Sequence, residues 1–193
     1  GRKIFSNITK AIQFLLSANI AEVLCLFIVE MISLISGQPQ VFLSPIMILW
    51  VNLVTDSFPA LSLGTEKAER DVMQMPPRKS DSSLFAGQMG KDIIIQGIMQ
   101  TALVMLSYLL GQYVLTDGVQ HHAEPMTMAF ISLCFIQLFH AFNLRSQRNS
   151  VLNKNFFSNK PLDLSALVGV ALTLFVVITP GVKTGFIEGA DNS

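Results

Sequence analysis

Two short runs set acids beside amides at helical spacing inside apolar sequence. In "LLSANIAEVL", Asn19 and Glu22 stand three residues apart. In "ILWVNLVTDSFPALSLG", Asn52, Thr55 and Asp56 stand at i, i+3 and i+4. On a helix both spacings bring the side chains to one face, so each run offers a stripe of oxygen donors. Carboxylate, amide and hydroxyl oxygens suit a hard cation, and calcium takes about 6–8 of them in irregular geometry. Neither thiolate nor imidazole dominates, which makes zinc and copper poor fits. Gln137 and His140 add a third i, i+3 pair. Pro59 removes one backbone hydrogen bond and clashes with the carbonyl of Thr55. The helix is therefore expected to break there and free the carbonyls of residues 55 and 56. Broken helices at the membrane midplane recur in ion sites.

The elements that must carry these residues are membrane helices. The chain has 193 residues, 51% of them hydrophobic and 13% charged, against about 25% charged in soluble domains. Mean hydropathy is +0.52. A spanning helix needs roughly 20 mostly apolar residues, and five segments supply them, at about 11–36, 44–64, 92–115, 125–144 and 161–182. The fold class is all-α: a polytopic helical membrane domain of about five transmembrane helices. A zero net charge argues against nucleic acid as a partner, and the lipid bilayer is the partner that the composition implies. Cys25 and Cys134 both lie in apolar runs and read as free buried thiols. No signal peptide is visible, because residues 1–10 are polar and basic and no small-residue cleavage site follows.

Charge sets the orientation. Lysine and arginine concentrate on the cytoplasmic side. Twelve of the thirteen basic residues lie before the first span, in the loop 65–91, or in the loop between the fourth and fifth spans. These sites alternate across successive spans, so the N-terminus is expected in the cytoplasm and the C-terminus outside. The loop 65–91 is too short for an independent domain, and residues 1–193 read as a single membrane domain.

Each polar residue has a plainer reading as well. Asn19, Thr55 or Gln137 alone would serve as interhelical hydrogen-bond glue. Glu22 and Asp56, each beside amides, favour the ion site, because ionisable groups in the bilayer core are costly and face a bundle interior or a watery cavity. His140 reads as structural, Glu30 as interfacial, and Gln96, Gln100 and Gln112 as packing or interfacial groups. Two other classes would also hold intramembrane acids: a non-enzymatic ion channel or secondary transporter subunit, and a structural membrane protein with incidental polar residues.

At "GRKIFSNITKAIQFLLSANIAEV" the chain resembles the start of the fifth transmembrane helix of P-type cation ATPases. "LWVNLVTDSFPALSLGTEKAERDVMQMPPR" resembles their sixth helix and the loop after it, with its Pro-Pro-Arg signature. The likeness is close over residues 1–79, and the rest follows helices seven to nine in hydropathy and loop pattern. Asn-x-x-Thr-Asp resembles the calcium pumps, whereas sodium–potassium pumps place an aspartate at the position of Asn52. The resemblance implies metal ligands at Asn19, Glu22, Asn52, Thr55 and Asp56. It sets Gln137 where two-site pumps have a glutamate and some one-calcium pumps a glutamine. Ser57 stands where the family often has glycine, while Pro59 is retained.

The phosphorylation motif Asp-Lys-Thr-Gly-Thr is absent from these residues. The resemblance therefore implies a C-terminal portion of an ATP-driven translocase, inactive alone, whose missing N-terminal domains bind ATP and magnesium. Calcium is the implied transported ion, with manganese or another cation as alternatives. The short loops, with no obvious regulatory tail, lead to the expectation of a bacterial plasma membrane. The loop 65–91, through "MPPRKSD", is expected on the cytoplasmic face against the phosphorylation domain. Replacing Arg78 and Lys79 with alanine in the parent pump should slow turnover; unchanged turnover and ion affinity would leave that loop a topological role only.

Overall fold

A computed structural model describes residues 2–66, 88–113, 123–145 and 159–179. The loop stretch that holds "MPPRKSD" and the polar C-terminal run lie outside the described residues. Five helices follow in order: α1 (Arg2–Ser36), α2 (Pro45–Gly64), α3 (Met89–Tyr113), α4 (Ala123–Asn143) and α5 (Lys160–Ile178). Each is long and apolar enough to cross a membrane.

Local sequence sets the ends. At 35 residues, α1 is about 50 Å long at 1.5 Å per residue. That exceeds the roughly 30 Å hydrocarbon core, so α1 reaches well past the apolar run 11–36, because nothing in Arg2–Lys10 stops a helix. It ends at Gly37, whose φ of +66° is open to glycine without a Cβ penalty. Ser44 caps α2 by accepting the N–H of Met47 at 3.4 Å; Pro45 follows in the first turn, where its missing N–H costs nothing. Asn159 caps α5 in the same way, accepting from Leu162 N–H at 3.2 Å.

Helix α2 is not the unwound segment that Pro59 led us to expect. It stays helical throughout, with residues Val51–Ser57 wound as a π-helix between α-helical Pro45–Trp50 and Phe58–Gly64. The trigger is local, and the way both ends of α2 are held sets the form of the response. Pro59 cannot donate to residue 55, and widening the turn lets the chain absorb that loss without leaving helical torsions. Ser57 then donates its hydroxyl to the carbonyl of Asn52, five residues back, at 2.7 Å. Such π segments are costly and are found often at functional sites.

Packing divides the bundle into three levels. One apolar cluster joins Cys25 and Val29 of α1, Met47 and Val51 of α2, Val104 and Tyr108 of α3, and Phe130 and Leu133 of α4. A second joins Phe14, Ala60, Leu63, Ala141, Leu144 and Leu162. Between them lies a polar level on α1, α2 and α4. Outward residues such as Val23, Phe27, Leu53, Leu61 and Leu167 are exposed and apolar, as lipid contact requires.

Helix α3 approaches α1 closely at Gly97. A Cβ there would lie 2.6 Å from Ile20 Cγ2, 2.9 Å from Ile20 Cβ and 3.3 Å from the Ser17 carbonyl oxygen. Neither a branch-point carbon nor a backbone oxygen can step aside. Gly97→Ala should therefore destabilise the bundle by about 1–3 kcal/mol, as overpacking does. A fall in the midpoint of thermal unfolding in detergent is the check; an unchanged midpoint refutes the close contact.

Candidate functional site

Glu22 is the hub of the polar level. The residue is 6% exposed, and its carboxylate links two other helices. Oε2 accepts from Asn52 Nδ2 of α2 at 3.1 Å, and Oε1 accepts from Gln137 Nε2 of α4 at 3.0 Å. Asn52 Nδ2 also donates to the Ile48 carbonyl at 2.9 Å. The Thr55 hydroxyl lies 2.8 Å from both Gln137 Oε1 and the Val51 carbonyl. With one proton it donates to one of them at a time. Four residues from three helices thus form one hydrogen-bonded network.

Asp56 stands next to this network and outside it. It is 1% exposed, and neither carboxylate oxygen has a hydrogen-bond partner among the described residues. It lies within electrostatic reach of Glu22. The π turn puts it there: Asp56, Thr55 and Val54 are buried while Leu53 and Phe58 face out.

Asn19 does not join. It is exposed, whereas Ala18, Ala21, Glu22 and Cys25 are buried. Three residues at 3.6 per turn leave Asn19 about 60° round the helix from Glu22, and that offset carries it past the edge of the buried stripe. Of the six candidate ligands, Glu22, Asn52, Thr55, Asp56 and Gln137 lie in one level and Asn19 lies outside it.

Below the network, α1 and α4 are cross-linked again. His140 Nε2 is 2.9 Å from the Ser17 hydroxyl, and its ring stacks on Phe14 with centroids 5.9 Å apart. One turn on, the Lys10 ammonium donates to the carbonyl of Arg145. Ser17 carried no signal in the sequence, since an isolated serine in a span is unremarkable. On α3, Gln96 accepts from Gln13 Nε2 at 3.0 Å. Gln100 is fully buried with no hydrogen-bond partner among the described residues. Glu30 is exposed.

The donor set decides what this level can hold. Among the described residues no group of three His, Cys, Asp or Glu comes together. The cluster instead offers two carboxylates, two amides and a hydroxyl, all oxygen donors, and one carboxylate is buried with no hydrogen-bond partner among the described residues. That chemistry fits a hard cation better than a soft one.

Comparison with known proteins gives the same direction. Residues 40–187 match the family model described as "Cation transporting ATPase, C-terminus". The chain is 37% identical over 194 residues to a protein of Bacillus cereus named "Calcium-transporting ATPase 1"; the match covers 93% of this chain and 21% of that protein. It is 34% identical over 186 residues to "Calcium-transporting ATPase" of Bacillus subtilis, covering 96% and 20%. It is 30% identical over 178 residues to "Calcium-transporting ATPase 1" of Schizosaccharomyces pombe, covering 91% and 19%. The chain spans about a fifth of the length of these relatives.

Gln137 bridges Glu22 and Thr55, so its removal should loosen α4 from α1 and α2. Interhelical hydrogen bonds in membranes average about 0.6 kcal/mol each, and two are lost. Gln137→Leu is expected to lower stability by about 1 kcal/mol in reversible unfolding by a denaturing detergent. Equal or greater stability would show that the bridge carries no energy.

Proposed function

Given that the chain belongs to the P-type cation-transporting ATPases, as their C-terminal membrane part, we propose that its polar level is part of an intramembrane calcium site. The observation that carries this reading is Asp56, a carboxylate buried on a π turn with no hydrogen-bond partner among the described residues. A lone buried charge is costly in protein and more so in a bilayer. A bound cation removes that cost, and Glu22 adds a second negative group within reach.

In this proposal Asp56 and Glu22 supply the charge, and Asn52, Thr55 and Gln137 supply neutral oxygens. The network as seen points amide nitrogens at Glu22. A cation would take the place of those N–H donors, and both amides would turn their oxygens inward. Asn19, exposed beside Glu22, would contribute only once another element covers that side of α1. The rest of the parent chain supplies that cover, together with the domains that bind ATP and magnesium. The family's coupling of aspartyl-phosphate formation to alternating access would then drive transport. Residues 1–193 act as one membrane domain, with the N-terminus in the cytoplasm because the basic residues gather there. Two Bacillus relatives support a bacterial plasma membrane, and their printed names support calcium over manganese.

Asp56→Asn in the full-length pump keeps the shape and removes the charge. It should abolish calcium-activated phosphorylation by ATP while expression is retained, and Gln137→Ala should do less. Calcium at a hundred times its dissociation constant should stabilise the wild type by about 2.7 kcal/mol and leave Asp56→Asn unmoved in a thermal shift. Near wild-type calcium affinity in Asp56→Asn would sink the site assignment and leave these residues as packing groups.

A further inference from the structure

A second buried polar cluster lies at the other end of α2. Glu66, two residues beyond that helix, is held by a fork: Arg145 Nε is 3.0 Å from Oε2 and Arg145 Nη2 is 3.3 Å from Oε1. Asn159 Nδ2 donates to the same Oε2 at 2.6 Å and to the Ser62 carbonyl at 3.2 Å. Asn7 Nδ2 donates to the carbonyls of Gly64 at 3.0 Å and Glu66 at 2.8 Å. Lys10 donates to the carbonyl of Arg145. Lys10, Glu66, Arg145 and Asn159 are all buried. The end of α2 is therefore tied at once to α1, to the end of α4 and to the cap of α5.

Buried ion pairs add little net stability, because desolvation offsets the attraction; their best-attested use is to fix a register. Here there is a register to fix. One residue more or less in a helix turns everything beyond it by about 100°, and α2 carries its extra residue as the π stretch Val51–Ser57. That stretch survives only if both ends of α2 are held against rotation. Met47 and Val51, packed into the apolar cluster with α1, α3 and α4, hold the first end. The Glu66 fork holds the second. Between these two anchors Asp56 is turned inward, while Leu53 and Phe58 are turned out.

We propose that the Lys10–Glu66–Arg145–Asn159 cluster is a positioning device that locks the rotational register of α2 and so sets the geometry of the cation site. It acts through the eight residues of helix that follow Asp56 as far as Gly64, about 12 Å at 1.5 Å per residue, and touches no ion. The proposal rests on the calcium-site reading above and deepens it.

Two variants of the full-length parent test it: Arg145→Gln, and Glu66→Gln with Arg145→Gln together. The pair removes both charges of the ion pair together, so it decides the matter where the single variant fails to insert. Each should need at least tenfold more calcium to activate phosphorylation by ATP. Each should still be phosphorylated by inorganic phosphate without calcium at the wild-type level, which a merely loosened scaffold would not preserve. Wild-type calcium dependence in the pair, or parallel loss of both phosphorylation reactions, overturns the proposal. Cross-linking supplies a readout that needs no pump activity. Glu22→Cys with Asn52→Cys, in a parent with Cys25→Ala and Cys134→Ala, should be joined efficiently by a short bifunctional thiol reagent, since the native side chains meet at their tips. The yield should fall severalfold when Glu66→Gln and Arg145→Gln are added, and an undiminished yield overturns the register claim. A parent that no cation activates refutes the pump reading alone, and the cross-link then decides the positioning role.

Discussion

Asp56 holds two carboxylate oxygens away from water and away from every described donor. In a protein interior an unpartnered polar group costs kilocalories, and an unpaired charge costs more. The surrounding structure is arranged to tolerate this group. Two apolar clusters close the bundle on either side of its level. The amides of Asn52 and Gln137 satisfy the neighbouring Glu22 and leave Asp56 alone. A fold that only needed to be stable would have no use for a carboxylate in that position; the proposed cation site would give it one.

The fold was legible because a bilayer imposes strong rules. With 51% hydrophobic residues and 13% charged, runs of apolar residues can only be helices that bury their own backbone groups. The level of the site was legible too, since Glu22, Asn52, Thr55, Asp56 and Gln137 are the polar interruptions in those runs, and the structure gathers them. Two things were not legible. The first was the rotation of α1. An i, i+3 pair shares a face only within about 60°, and that margin separates buried Glu22 from exposed Asn19. The second was the form of the break at Pro59. A missing hydrogen bond can be absorbed by unwinding or by widening, and the local sequence does not choose. The choice depends on how both ends of α2 are tied, which is a matter of long-range contacts.

The buried ion pair shows a similar limit. Arg145 and Lys10 counted, in the sequence, only as basic residues that orient the chain. Their burial and their bonds to Glu66 and to the Arg145 carbonyl arise from the packing of helices far apart in the chain. Positive charge next to a span thus has two uses here, one read by charge alone and one read only in three dimensions.

The short connection between α1 and α2 has a consequence for biogenesis. Residues 37–44 span the turn, and Ser33 ties it by donating to the Gln38 carbonyl and accepting from the Gln40 N–H. Helix α1 has a mean hydropathy of 2.1 over its most apolar window and α2 only 1.5, because α2 carries Asn52, Thr55 and Asp56. A strongly apolar segment enters a bilayer readily, and a polar one gains from a partner already there. With so brief a tether, α2 meets the buried face of α1 as soon as it leaves the insertion machinery. Asn52 is then placed to meet Glu22 early, and the two helices are expected to enter as a hairpin whose first helix supports the second.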